Sequence, residues 1–517
     1  MKMSKRTKKI LALLLTAVLC VPFALFASAK PVDHTITNPY ADVNWKTAKA
    51  YKTALHTHTN ASDGSPTLKQ SVQRHLETGF DIVATTDHGT VNYTWETPCP
   101  NKLIHSGLSL LGRNEGELEY LGAEGTFDNG TAYTYAAAEN GDDYLTTTDG
   151  RTILRLPYGI ENNAISVNAH INSWFADYCD NSVTAYEDAV KGVEKAGGVC
   201  VINHPGEYTK ARYELHTSDA YDESNFAYSY YINKYAGLIN DYRSCIGIDI
   251  NSKGDNRTRF ERKLWDILLQ RFSRNGKNVF AIASSDAHAL SVIDTGFSYL
   301  LMDELTSAAA RNALETGSFF AGSHCLGNPD ELAQIAASLK ELYGESALSA
   351  KISETAAAME EKVKGIENGT YDADDDIGIT YSVLDGDGFS ACPTFPMIRE
   401  VTVNEGKDTI TLSTSDALLI RWISDGKLIA TQKADGTPFS LRDYEGELGD
   451  YVRAEVFGEG GILYTQAFLI DAEGRTVWTP VMRGSYFNIG VLDFLFAELH
   501  KWQEIIFRFF SVLFAKR

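Results

Sequence analysis

The chain of 517 residues is too long for a single hydrophobic core, so two or three domains are expected. Hydrophobic residues make up 44% and charged residues 22%, the ordinary balance of a soluble globular protein. A formal charge of −21 argues against nucleic acid or an anionic membrane as the main partner, and leaves any phosphate chemistry dependent on local cations or metals.

Lys2, Lys5, Arg6, Lys8 and Lys9 precede an apolar run over 10–26, and Ala27-Ser28-Ala29 follows as a small-residue cleavage site. Residues 1–29 therefore read as a secretory signal, and the mature chain is expected to be secreted or associated with the cell surface. An uncleaved membrane anchor is the alternative reading. Cys99, Cys179, Cys200, Cys245, Cys325 and Cys392 lie beyond it, scattered singly with no CxxC pair, which is neither a disulfide scaffold nor a zinc–thiolate site. Cys200, within Gly-Val-Cys-Val-Ile, reads as a buried free thiol.

From 52 to about 303 short apolar runs alternate with longer amphipathic segments. The runs fall near 54–55, 82–85, 120–123, 165–169, 199–203, 246–250 and 279–283. Ser65-Pro66 followed by Leu68, Val72, Leu76 and Gly79 supplies a cap, a first-turn proline, a periodic stripe and a glycine stop, and 260–272 is a second helix of the same kind. Repeated strand–helix units predict a parallel sheet, and seven of them can close into a barrel, here assigned to 46–328. The stretch 126–163, rich in Gly, Asp and Tyr, reads as inserted hairpins.

Residues 329–372 shift to Ala, Glu, Lys and Leu and predict a helical connector. Over 373–483, alternating segments such as Tyr451-Val-Arg-Ala-Glu-Val, separated by turns such as Ser424-Asp-Gly, predict an all-β sandwich-like domain. In 484–517, Leu492, Leu495, Leu499, Trp502, Ile506 and Leu513 form a helical stripe opposite Asp493, Lys501, Glu504 and Arg508. Such a helix, centred on 489–514, either packs on a partner surface or lies at a membrane interface.

A His-x-His pair arises easily by chance among twelve histidines, so His56-Thr57-His58 alone carries little. Its context carries more. The apolar runs end in His56 and His58 (with Asp63 close behind), Asp87-His88, Glu124, His170, His204 and Asp286-Ala287-His288, while the sixth ends in Asp249 and Asn251, suited to support rather than ligation. In a parallel barrel all strand C-termini lie on one face, so residues two hundred positions apart converge. Imidazole and carboxylate without thiolate suit zinc, manganese or iron, and the six histidines with Asp63, Glu124 and Asp286, nine donors, suit two or three divalent ions.

These motifs resemble the PHP (polymerase and histidinol phosphatase) domain. The resemblance rests on His56-Thr-His-Thr-Asn-Ala-Ser-Asp-Gly, Thr85-Thr-Asp-His-Gly, Gly122-Ala-Glu, His170, Asn203-His-Pro-Gly and Ser285-Asp-Ala-His, in order over roughly 50–325. It implies a distorted seven-stranded β/α (TIM-like) barrel and phosphoester hydrolysis at a trinuclear site by a metal-bridged hydroxide. The implied ligands are His56, His58, Asp63, His88, Glu124, His170, His204, Asp286 and His288, with His56, His58, His204 and Asp286 as the catalytic core. Lys253, Arg257 and Arg259 are candidate phosphate-binding cations, with Lys210 and Arg212 as alternatives. The competing readings are an amidohydrolase-type metal hydrolase and a surface binding module on a structural metal barrel. In the leading reading the partner is a small-molecule or exposed phosphoester.

Overall fold

Residues 34–97, 118–163, 170–179, 186–371, 377–384 and 394–472 are described in a computed structural model. The secretory signal at 1–29 and the amphipathic stripe at 489–514 lie outside them. Among the described residues no helix is long and apolar enough to cross a membrane.

The chain opens with β1 (His34–Thr37) and β2 (Lys49–Ala54), then α1 (Leu68–Glu77) and β3 (Ile82–Val83). Thr67, rather than Ser65, caps α1: its side chain accepts from the Gln70 amide while the Gln70 side chain accepts from the Thr67 amide, a reciprocal capping box. Leu68, Val72 and Leu76 form its buried face, and Gly79 at φ 78° turns the chain out of it. Next come β4 (Glu124–Thr126), β5 (Ala132–Ala137), β6 (Asp143–Thr147) and β7 (Thr152–Arg155), successive antiparallel neighbours as the insertion predicted. β8 (Ile160–Asn163) and β9 (His170–Trp174) lead to α2 (Tyr186–Ala196), β10 (Val199–Ile202), α3 (Pro205–Thr209), α4 (Phe226–Asp241), β11 (Cys245–Asp249), α5 (Glu261–Phe272) and β12 (Phe280–Ile282). β13 (Gly296–Met302), α6 (Ser307–Thr316) and β14 (Phe319–Ser323) follow, then the two connector helices α7 (Pro329–Tyr343) and α8 (Ala347–Glu367).

The fold is mixed α/β, but its sheets do not close into the expected seven-stranded barrel. Among the described strands, parallel pairing runs through β2–β3–β7 and β10–β11–β12, and β8 and β9 pair antiparallel. Isolated bridges, among them Thr57 to Ala287 and His88 to Glu161, join the two sheets at the ends that carry the metal-ligand residues. The reason is strand length. β3 has two residues and β12 three, too few for a continuous ladder, and side chains complete the backbone instead. Trp174 Nε1 donates to the Leu55 carbonyl, and the Gln466 amide bonds both the N–H and the C=O of Ala281. Leu55, Ile82, Leu154, Trp174, Val201, Ile282 and Leu300 fill the space between the sheets. Cys200 is a buried free thiol, in register with Cys245 on the neighbouring strand.

The β-rich region contains β15 (Met397–Asn404), β16 (Thr409–Ser415), β17 (Leu419–Ser424), β18 (Lys427–Lys433), β19 (Phe439–Ser440), β20 (Tyr451–Gly458), β21 (Gly461–Tyr464) and β22 (Phe468–Ala472). β15, β16 and β19 form a small sheet that faces β17 and β20 across Val401, Ile410, Leu412, Trp422, Val452 and Val456. The larger sheet does not stop at the connector. β21 pairs with β14, and β22 pairs with β1, so fourteen strands of the chain share one sheet.

Candidate metal centre

The strand ends deliver a buried cluster. Alternation along the chain after β2 sends His56 and His58 to the same side, with their Nε2 atoms 3.0 Å apart and both residues fully buried. The loop after them is pinned by Asp87, whose carboxylate accepts from the Thr59 amide (2.8 Å), the Thr59 hydroxyl (2.8 Å) and the Ser62 hydroxyl (2.7 Å). Gly64 closes this loop where a Cβ would lie 2.7 Å from the His58 backbone. The turn brings Asp63 back to 3.4 Å from His58 Nδ1 and His88 Nε2 and 3.2 Å from His288 Nε2.

Glu161 on β8 sits in the middle. Its Oε2 lies 3.4 Å from His56 Nε2, 3.3 Å from His58 Nε2 and 3.0 Å from His88 Nδ1. Its Oε1 lies 2.8 Å from His170 Nδ1 and 3.3 Å from His204 Nε2, and accepts from the Asn203 amide at 2.7 Å. Asp286 Oδ1 is 3.3 Å from His56 and 3.2 Å from His58; its Oδ2 is 3.5 Å from His204. The donors fall into four overlapping groups: His58, Asp63, His88 and His288; His56, Glu161 and His204; His56, His58 and Asp286; and His88, Glu161 and His170.

This arrangement fits metal ions on its own chemistry. Two imidazole Nε2 atoms at 3.0 Å point lone pair at lone pair unless a proton or a cation lies between them. The fully buried Glu161 Oε2 and Asp286 Oδ1 face ring nitrogens with no well-formed hydrogen bond. Electrostatics agree. Burial opposes charge on Glu161, yet His170, His56 and His88 outweigh it and hold the carboxyl well below its usual range. Asp286 is likewise depressed against its burial, by Lys253 and His56. His88 rises to about 9 because Glu161 outweighs burial, and His58 is also raised, whereas burial wins at His170 and takes it to about 4.

Of the residues expected here, His56, His58, Asp63, His88, His170, His204, Asp286 and His288 converge, and Glu124 does not. Glu124 is exposed at the start of β4, paired with Thr134 in the outer hairpins. The hairpin insertion is flanked by two Gly-x-Glu segments, Gly122-Ala-Glu124 before it and Gly159-Ile-Glu161 after it, and the insertion precedes rather than follows the strand that bears the ligand. Ile153, Leu154 and Leu156 just before the second segment were the available signal. Asp249 and Asn251 tie strands together: Asp249 accepts from the Ser284 hydroxyl, and Asn251 donates to the Cys325 carbonyl.

The cluster opens into a cavity of about 530 Å³. Lys253 lines it, with Nζ 2.9 Å from Asp286 Oδ2 and 2.7 Å from Glu207 Oε2. Arg257, half-exposed, bonds Glu207 at 2.8 Å on the rim. Arg259 is turned away: it is buried, and its guanidinium donates to the carbonyls of Asn256 (2.8 Å) and Glu214 (3.1 Å). Arg212 lies 3.4 Å from Glu207 and over the Tyr213 ring, and neither it nor Lys210 lines the cavity. Two wall residues escaped the sequence reading. Glu207 falls to about 2 because Lys253 and His204 outweigh its desolvation, and the half-buried Tyr208 hydroxyl lies 2.9 Å from the His170 ring.

No family model matches the chain, and no curated protein matches it. Solved structures similar to it include a two-domain protein from Bacteroides vulgatus containing a predicted PHP-like metal-dependent phosphoesterase, at 16% identity, covering 85% of this chain and 100% of that one with a TM-score of 0.33. Another is an amidohydrolase from Chromobacterium violaceum with bound sulfate and no metal, at 16% identity, covering 46% of this chain and 87% of that one with a TM-score of 0.24.

Proposed function

We propose that the protein is an exported metal-dependent phosphoesterase, acting on a small or exposed mono- or diester. The observation that supports this most is the meeting, in one cavity, of a buried nine-residue His/Asp/Glu cluster with the Lys253 ammonium 2.9 Å from Asp286. The donor set suits two or three ions of zinc, manganese or iron, because it combines imidazole with carboxylate and lacks thiolate. Such ions, when bound, supply Lewis-acid polarisation of water and of phosphoryl oxygens.

The chain's own residues do the rest. Glu161 and Asp286 hold the imidazoles in one orientation and keep negative charge at the cavity floor. Lys253 offers a fixed cation beside Asp286 for a non-bridging phosphoryl oxygen, and Arg257 on the rim attracts an anion to the mouth. Tyr208, whose phenol is pushed well above its usual pKa by desolvation, stays neutral and keeps an O–H to offer within the cavity. Cations at both floor and rim favour a phosphoester over the neutral amide of an amidohydrolase. The basic, apolar and small-residue order of 1–29 supports action outside the cytoplasm.

The test is elemental analysis of protein lacking 1–29, alongside His58→Ala and His288→Ala, with assays on model phosphomonoesters, phosphodiesters and amides. Two or three ions per chain and a phosphoesterase activity, both lost in the variants, are expected. Cleavage of amides alone would replace the reading with amide hydrolysis. Less than one ion per chain after reconstitution would leave a binding module.

A further inference from the structure

Lys253 reaches the cluster from an unusual stretch of backbone. Lys253, Gly254 and Asp255 stand at φ 51°, 66° and 61°, three consecutive residues in the left-handed region, two of them not glycine. Such a run persists only where its surroundings over-determine it. Here the surroundings converge on Asp255. Its fully buried carboxylate accepts from Arg262 NH1 (3.1 Å) and NH2 (2.9 Å), from the Gly327 amide (2.7 Å) and from the Thr258 hydroxyl (3.3 Å). Thr258 also bonds both the N–H and the C=O of Ser252 at 2.9 Å, closing the loop on itself.

Arg262, on α5, is 1% exposed and every edge of its guanidinium is used. NH1 donates to the Ile250 carbonyl (3.2 Å), NH2 to the Arg259 carbonyl (3.1 Å), and Nε and NH2 to Glu331 on α7 (2.9 and 2.7 Å). One turn along α7, Gln334 accepts from Arg421 of the β-rich region at 2.6 Å. Arg421 also pairs with Glu455 (2.6 Å), which accepts from Arg453 (2.7 Å), and Arg453 in turn grips Asp266, one turn beyond Arg262 on α5. Polar contacts thus run from the β-rich region, through Gln334 and Glu331 of the connector helix and through Asp266 of α5, to the Arg262 that holds the loop carrying Lys253.

We propose that Arg262 is a positioning residue: through Asp255, and braced by Glu331 and the β-rich region, it holds the 252–258 loop in the left-handed path that delivers Lys253 to the metal cluster. The inference rests on the reading of Lys253 as the cation that meets the substrate. It gives the β-rich region a part in the site.

The test compares full-length, metal-loaded wild type with Arg262→Met and with Gly254→Ala. In Gly254→Ala the ion network is untouched; the new Cβ meets nothing closer than Cys325 Sγ at 3.9 Å, so only the backbone angle is penalised. Amine labelling of Lys253, read by mass spectrometry against the exposed Lys340 as internal control, is expected to rise about five- to tenfold in both variants at unchanged metal content. kcat/KM on a model phosphoester should fall by a similar factor, and adding Lys253→Met should bring no further loss beyond Lys253→Met alone. If Arg262→Met does not fold, Arg262→Lys, which keeps the buried charge but loses the fork shared by Asp255 and Glu331, takes its place. Unchanged Lys253 labelling in the folded variants overturns the proposal. Raised labelling with undiminished activity upholds the positioning and removes Lys253 from the proposed reaction.

Discussion

Glu161 touches five of the six clustered histidines, and no other carboxylate lies so centrally. Glu161→Gln is expected to lower metal affinity by about 100-fold or more, and Glu124→Gln to leave it unchanged, as elemental analysis after dialysis against a weak chelator will read. Protons compete for the same donors. His58 and His88 are raised in the metal-free protein, His88 to about 9, so both carry protons at neutral pH that an ion must displace. Metal affinity is therefore expected to climb as pH rises towards 9, with proton release visible by calorimetry in buffers of different ionisation enthalpy. His75 behaves oppositely. Burial lowers it to about 4 from 6.5, although its Nδ1 donates to the Ser71 carbonyl at 2.7 Å. The unfolded chain takes up this proton first, so stability present above pH 6.5 is lost as pH falls towards 4, by up to about 3 kcal/mol. His75→Phe should flatten that limb of the denaturation profile relative to wild type.

At the level of elements, the 59–64 loop shows how one carboxylate can hold a ligand in place. Asp87→Ala strands two buried hydroxyls and an amide and is expected to cost about 3 kcal/mol, with a lower melting temperature and weaker retention of any ion that Asp63 would help hold. This also marks what the sequence could and could not convey. His56 with His58, and Asp286 with His288, were legible because strand periodicity and a strand end are local properties. Glu161 was not, because choosing between the Gly-x-Glu segments on either side of the hairpins requires knowing where the chain rejoins the sheet. Arg259 sits six residues past Lys253, but the left-handed turn between them sends the two side chains to different places, and no spacing rule encodes that turn. Barrel closure failed for a related reason: the strand signals at 82–85 and 279–283 were real, yet β3 and β12 are too short to complete a ladder.

Across the whole molecule, the pairing of β14 with β21 and the buried charges on both sides of α7 make the α/β and β-rich regions one cooperative body. Calorimetry is expected to show a single unfolding transition for the metal-loaded protein; two separated transitions would mean that the shared sheet does not couple them. The same sheet has β1 at its edge, paired antiparallel with β22. His34 of β1 stands opposite Ala472 of β22, and the register runs inward to Thr37 opposite Leu469. A pull applied through the two flanking segments would therefore load these four pairs one at a time, from the outside in, rather than shearing them together. The molecule should peel open at low force from that corner while the metal-bearing strands, remote from the load, stay intact.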